Sequence, residues 1–216
     1  MADLKERIAR RCALEFEDGD FINLGIGMPT MVADYIAEDI VVTCHSENGF
    51  AGIDAMADET NLDVDIINSG GQYVTVLPRV KYFDTAESFG LVRGGHVKAT
   101  VLGAMEVAEN GDLANWIVPG KKVAGMGGAM DLCVGCPNVI ITMMHTQKGA
   151  PKIKKHCTLP LTAEKCVTKI ITEMCVIEVT PEGLLLTEYN PEFTLDQIKA
   201  ATEAELIISP DLKPMA

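Results

Sequence analysis

Glu47 closes the run Val41-Val-Thr-Cys-His-Ser-Glu-Asn-Gly49 on its polar side, and its setting is the most direct hint of chemistry in the chain. The run opens on β-branched residues, the composition of a strand buried on both faces, and then breaks into a small polar turn ended by glycine. A carboxylate delivered there is either an ordinary solvated turn acid or a group placed for reaction. Clustered glycines follow three strand-like segments, at Gly25/Gly27, Gly70/Gly71 and Gly125/Gly127/Gly128. Such turns let backbone amides approach a phosphate or an oxyanion, and they equally serve a tight turn that needs positive φ. Three of them at strand ends point to one shared cleft.

Other chemistries are poorly provided for. The four histidines are isolated, with no H-x-x-x-H or H-E-x-x-H, and Ser46 lacks the G-x-S-x-G elbow of a serine nucleophile. No glycine turn completes G-x-G-x-x-G and no Walker pattern occurs, so neither a dinucleotide nor a nucleoside triphosphate is expected. Cys133-Val-Gly-Cys136 has no second pair to make a zinc ribbon and follows a helix instead of preceding one. It reads as two incidental thiols in a loop, and no metal is expected. Lys148 to His156 is the one basic cluster, either a site for a phosphate-bearing ligand or acidic partner, or a solvated loop.

The chain as a whole narrows the classes further. It has 216 residues, 48% of them apolar, enough for one substantial domain spanning 1–216. Lys plus Arg number 18 against 31 Asp plus Glu, a formal net charge of −13. That balance disfavours nucleic acid and anionic membrane surfaces, though not a small anion in a local positive pocket. No apolar run is long enough to cross a bilayer, and Met1-Ala-Asp-Leu-Lys-Glu-Arg7 reads as a charged helix start. Seven cysteines without disulfide-like spacing read as reduced thiols in a cytoplasmic protein.

The elements that must position Glu47 alternate between strand and helix. Leu4, Ile8, Cys12 and Phe16 mark an amphipathic helix over about 4–17, capped by Asp3 with Glu6. Phe21 to Leu24 is a buried strand, followed by a glycine turn and a helix from Thr30 to Ala37 with Pro29 in its first turn. Strands are expected at Val41–His45, Val64–Ile67, an edge at Val74–Leu77, His96–Leu102, Met105–Val107, Val139–Met143 and Leu206–Ile208, with Asp54 to Asp63 irregular. Helices are expected at Asp84–Arg93, Ala129–Cys133, Thr162–Ile171 and after the Thr194/Gln197 capping box. Cys175–Val179 and Leu184–Thr187 form a hairpin through Pro181-Glu-Gly183. This rhythm predicts an α/β fold with a single open, mixed, mostly parallel sheet flanked by helices.

Five motifs together carry a resemblance. Asn23-Leu-Gly-Ile-Gly27, Ser46-Glu-Asn-Gly49, Arg93-Gly-Gly-His96, Gly111-Asp-Leu-Ala-Asn-Trp116 and Gly125-Met-Gly-Gly-Ala-Met-Asp131 resemble the β subunit of family I CoA-transferases. Within that family the chain looks most like the acetate or butyrate–acetoacetate and 3-oxoacid CoA-transferases, over essentially its whole length. The resemblance implies a ping-pong transfer of coenzyme A between short carboxylic acids, with Glu47 as nucleophile and coenzyme A as substrate, not cofactor. It implies oxyanion and substrate contacts from Gly128, Gly127, Asn23 and Asn48. It also implies a homologous α subunit in an αβ, α2β2 or larger assembly, without which the chain is inactive. One departure stands out: where some relatives carry a lysine after Asn-x-Gly, this chain has Gly71 and then Gln72.

A carboxylate suits such a reaction on chemical grounds. Thioester free energy is conserved only if the nucleophile becomes an acyl group of similar reactivity, as anhydride and thioester allow and a serine ester does not. A carboxylate is already ionised near neutral pH and needs no histidine. Two other readings keep the fold: a phosphosugar isomerase-like enzyme with Glu47 as general base, or a non-catalytic binding subunit with Glu47 structural.

Overall fold

The computed structural model describes residues 4–120 and 125–216. The first half comprises α1 (Leu4–Ala13), β1 (Phe21–Leu24), a 3-10 helix (Met28–Tyr35), β2 (Thr43–Ser46), β3 (Phe50–Met56), β4 (Val74–Tyr82), α2 (Thr85–Arg93) and β5 (Ala99–Leu102). The small strands β6 (Glu106–Ala108) and β7 (Leu113–Ala114) come next, then α3 (Ala129–Gly135) and β8 (Asn138–Thr142). The remainder is β9 (Thr146–Gln147), β10 (Ala150–Pro151), β11 (Ile153–Lys154), β12 (Lys169–Ile171), β13 (Cys175–Thr180), β14 (Gly183–Tyr189), α4 (Leu195–Ala201) and β15 (Leu206–Pro214).

Ten strands form one open sheet in the order β15-β14-β13-β12-β8-β5-β1-β2-β3-β4. The centre, β12 through β2, is parallel throughout, and antiparallel hairpins extend it on both sides. The mixed, mostly parallel sheet expected from the sequence is therefore the one observed. Two small sheets, β9 with β10 and β11-β6-β7, lie apart from it.

The central strands are buried on both faces and split their side chains between two cores. Ile22, Cys44, Val101, Ile140 and Ile171 point to one face, where Ile8, Ala9 and Cys12 of α1 and Val32 of the 3-10 helix cover them. Leu102, Val139, Ile141 and Ile170 point to the other, packed with Val92 of α2 and Leu132 of α3. Alternate positions of a strand face opposite ways, so one register serves both cores. Asn23 and Thr100 are polar positions on the α2/α3 face, and both are wholly buried.

Several local expectations hold. The helix expected at Asp84–Arg93 is α2, which Asp84 caps by accepting from the Glu87 amide at 2.8 Å. Thr194 and Gln197 exchange both hydrogen bonds of a capping box at the start of α4. The proposed Asp3 cap lies outside the described residues.

Others are corrected. The segment after Thr162 is not a helix; it pairs with the chain around β7 before running into β12. The Thr162 hydroxyl donates to Asn115 Oδ1 at 2.7 Å and accepts from the Asn115 amide, and Trp116 Nε1 donates to the Leu161 carbonyl. A hydroxyl spent across the fold does not cap. Val64–Ile67 is a turn with only Ile67 bridging to Tyr73, whereas Asp54–Met56, expected to be irregular, belongs to β3, which runs from Phe50. Helix α1 stops at Ala13, and three bonds reaching back three residues, from the amides of Leu14, Glu15 and Phe16, tighten the exit. The segment after Gly27 takes 3-10 form over Met28–Tyr35 in place of a helix at Thr30–Ala37.

Helix α1 is tied to the sheet by a buried ion pair. Arg11 donates to Glu188 through Nε at 2.6 Å and Nη2 at 2.9 Å, and through Nη1 to Glu15 at 2.7 Å. Burial pushes the Glu188 carboxyl up, but hydrogen bonds and charge from Arg11 and Lys213 outweigh it and hold it below its ordinary 4.5. A carboxyl held low stabilises the fold above its unfolded value, and that contribution is lost as pH falls through the lower folded value. Arg11→Met should therefore cost about 3–5 kcal/mol near neutral pH. Urea unfolding should show the gap to wild type narrowing below about pH 4. A gap independent of pH would show that the pair is not what stabilises α1.

Candidate active site

The carboxyl ends of β1, β2 and β5 open onto a cleft of about 590 Å³. Asn23, Gly25 and Ile26 line it from β1 and the turn after it, Glu47 from the turn after β2, and Leu102 to Met105 from the end of β5. Asn115, Trp116, Gly125 to Ala129 and Leu132 close the far side. A crevice outside the carboxyl ends of parallel strands is where open α/β sheets bind ligands. A more enclosed hollow of about 70 Å³ lies behind β2, against Leu24, Cys44 and Val74, and Glu47 does not reach it.

Glu47 is half-buried and held at two points. Asn23 Nδ2 donates to Glu47 Oε2 at 2.9 Å and to the His45 carbonyl at 3.3 Å. The Ser88 hydroxyl of α2 donates to the Glu47 main-chain carbonyl at 2.9 Å. With its proton so committed, Ser88 Oγ accepts from His45 Nε2 at 3.0 Å, which places the proton of the neutral imidazole on that nitrogen. His45 is itself buried between the rings of Phe21 and Phe83. Burial lowers its pKa against the opposing charge of Glu47. It stands as a neutral ring bracing the turn.

The turn is fixed from outside by its neighbours. Ser46 Oγ donates to Asn48 Oδ1 at 2.6 Å and accepts from the Ser69 amide, and Asn48 Nδ2 donates to the Ile67 carbonyl. Gly49 sits at φ 145°, and a Cβ there would lie 2.9 Å from the Phe83 carbonyl. Only glycine fits both conditions.

Gly128 faces Glu47 across the cleft. A Cβ on Gly128 would lie 3.6 Å from Glu47 Cγ and 2.8 Å from the Phe89 ring. The absent side chain is what brings the backbone of 127–128 close to the carboxylate. Of the sequence candidates, Glu47, Asn23, Gly127 and Gly128 thus share the cleft. Asn48 is exposed and does not line it; both ends of its amide are spent on the turn.

The remaining candidates fall elsewhere. Cys133 lies in α3 and Cys136 caps it, so the pair is not in a loop. A hydrogen bond with Cys166 and burial raise the Cys133 thiol, and burial pushes Cys136 up to about 12. Thiols held that high are inert at neutral pH. None of 148–156 lines the cleft; Ile153 is core, and Lys154 pairs with Glu203 at 3.2 Å. Among the described residues no group of three or more His, Cys, Asp or Glu side chains could hold a metal. Nor is any helix among them long and apolar enough to cross a membrane. Sequence reasoning missed Ser88 and Thr100; a lone hydroxyl in the apolar run Ala99–Leu102 was the signal for Thr100, and Ser88, next to Glu87, carried none.

Residues 5–201 match the coenzyme A transferase family, and the chain belongs to that family. An acetate CoA-transferase subunit beta from Haemophilus influenzae is 50% identical over 212 residues, covering 98% of this chain and 95% of that protein. A human mitochondrial succinyl-CoA:3-ketoacid coenzyme A transferase 2 is 48% identical over 216 residues, covering 99% of this chain. The chain spans only 42% of the length of that human relative. The crystal structure of an acyl-CoA transferase from Escherichia coli O157:H7 shares the fold, with a TM-score of 0.78 at 21% identity. It matches 99% of this chain and 43% of its own.

The Gly128 contact is directly testable. Gly128→Ala should destabilise the protein by about 1–3 kcal/mol in urea unfolding, because the methyl has no room beside Phe89. Adding Phe89→Leu should return a good part of that loss. A neutral Gly128→Ala would mean that the backbone does not approach α2 so closely.

Proposed function

We propose that this chain is the glutamate-bearing half of a CoA-transferase that moves coenzyme A between a short-chain or 3-oxo acyl-CoA and a carboxylate such as acetate. The observation that carries this reading is the Glu47 carboxylate, held open to the cleft by Asn23 and faced by the side-chain-free backbone of Gly127 and Gly128. The named activities of relatives near 50% identity, acetate CoA-transferase and succinyl-CoA:3-ketoacid coenzyme A transferase, support the class of substrate.

In this mechanism Glu47 attacks the thioester carbonyl of the donor. A C–O bond forms, the C–S bond breaks, and CoA leaves as thiolate from a mixed anhydride. The thiolate then attacks the glutamyl carbonyl, giving an enzyme–CoA thioester and freeing the donor acid as carboxylate. The acceptor carboxylate attacks this thioester, and the steps run in reverse to regenerate Glu47. No net proton is transferred, so no acid–base partner is needed.

What the steps do need is donors aimed at the oxygens where negative charge collects. Asn23 Nδ2 already faces one glutamyl oxygen, and the backbone of Gly127 and Gly128, with its amide donors, faces Glu47 across the cleft. Asn48 contributes by holding the turn. The chain acts as one unit, residues 1–216, in the cytoplasm, consistent with seven free cysteines. A homologous α subunit completes the site in an αβ, α2β2 or larger assembly. The bacterial relative's designation as a subunit and the greater length of the human relative support that partner.

The test uses the reconstituted two-subunit protein. Incubation with acyl-CoA followed by borohydride or hydroxylamine should modify Glu47, located by mass spectrometry. Glu47→Gln should abolish the adduct and lower kcat by several decades, since the amide is no nucleophile. Turnover without an adduct at Glu47 would overturn the reading, and CoA transfer by this chain alone would overturn the need for a partner.

A further inference from the structure

Asn23 is held in place by a residue that never reaches the cleft. Three adjacent strands place Thr100, Asn23 and His45 side by side: Asn23 registers with Thr100 of β5 on one flank and His45 of β2 on the other. Thr100 Oγ1 donates to Asn23 Oδ1 at 3.1 Å, and Asn23 passes its two amide protons to Glu47 Oε2 and the His45 carbonyl. Every polar atom of the Asn23 side chain is thereby used. Both Asn23 and Thr100 have zero exposure, so neither has bulk water as a substitute partner.

The direction of this chain follows from donor chemistry. An ionised carboxylate only accepts, so Asn23 must turn its NH2 to Glu47 and its carbonyl to β5. On β5 the group that meets that carbonyl is the Thr100 hydroxyl, which can donate. Without it the Asn23 carbonyl is buried with no donor, and only the two bonds made by its NH2 hold the amide in this orientation. Rotated by half a turn, it would set its carbonyl oxygen against the Glu47 carboxylate.

We propose that Thr100 is a positioning residue for the transfer reaction, acting through Asn23 to keep an amide donor aimed at the Glu47 carboxyl oxygen. The inference rests on Glu47 being the nucleophile. When thiolate or acceptor attacks the glutamyl carbonyl, that oxygen becomes the oxyanion, and the hydrogen bond from Asn23 strengthens at that moment. Thr100 should therefore act on the chemical steps and not on substrate binding.

The experiment compares steady-state kinetics of Thr100→Val, Thr100→Ser, Asn23→Ala and Thr100→Val/Asn23→Ala in the reconstituted two-subunit enzyme, with the Glu47 adduct measured in each. Valine keeps the shape of threonine and removes the donor. We expect kcat to fall roughly ten- to a hundredfold in Thr100→Val with KM within about twofold, and most of the rate to return in Thr100→Ser. In the Asn23→Ala background, Thr100→Val should cost nothing further, because the residue it acts through is gone. If Thr100→Val does not fold, Thr100→Ala takes its place in the same cycle.

An unchanged kcat in Thr100→Val overturns the proposal. So does a loss that multiplies independently with Asn23→Ala, which would mark Thr100 as structural. Failure of the nucleophile reading itself looks different: the wild-type complex would turn over with no adduct at Glu47.

Discussion

The hydrogen bond between Asn23 and Glu47 depends on three parallel strands keeping one register. Asn23 sits on the strand between β5 and β2, and its side chain must reach past His45 to the turn that β2 ends on. A slip of one residue would turn Asn23 into the opposite core and leave a wholly buried amide among Ile8, Cys12 and Val32. The apolar alternation that fills both cores forbids that slip. Packing of the sheet and placement of the carboxylate are thus one constraint, since the same register satisfies both.

Around this axis the fold holds the carboxylate without neutralising it. Among the described residues no lysine or arginine pairs with Glu47; its carboxylate accepts from the neutral amide of Asn23. A cation there would stabilise the charge but also blunt the nucleophile, whereas an amide orients it and remains in place when charge shifts to the glutamyl oxygen. Main-chain contacts do the rest. Ser88 of α2 grips the Glu47 carbonyl and is itself braced by His45 of β2, and Ser46 and Asn48 tie the turn to the loop at 67–69. The expected functional asparagine at 48 turns out to act at this level, outside the cleft.

Much of this was legible in short stretches of sequence. The strand into Glu47, the glycine turns, the helix at Asp84–Arg93, the capping box at Thr194 and the hairpin through Gly183 each depend on a few consecutive residues. The failures share a cause. Thr162 looked like a helix cap because a threonine before a mixed run usually is one, but its hydroxyl is used by Asn115 from another part of the chain. Val64–Ile67 has strand composition yet finds only a bridge at Ile67, while Asp54–Met56, expected to be irregular, is drawn into β3 by pairing with β4. Tertiary partners overrode local preference in each case.

The sequence by itself determined that a buried strand delivers Glu47 to a glycine-closed turn, that the chain alternates strand and helix, and which family its motifs resemble. Those are properties of neighbouring residues and of their order. Only the tertiary structure decided which side chains meet at the carboxylate. Asn23 lies 24 positions from Glu47 and Thr100 a further 77 from Asn23, and Gly128 arrives from beyond both. Their convergence follows from strand order and register, which are set when the whole sheet buries its two faces, and no single stretch of the chain encodes that choice.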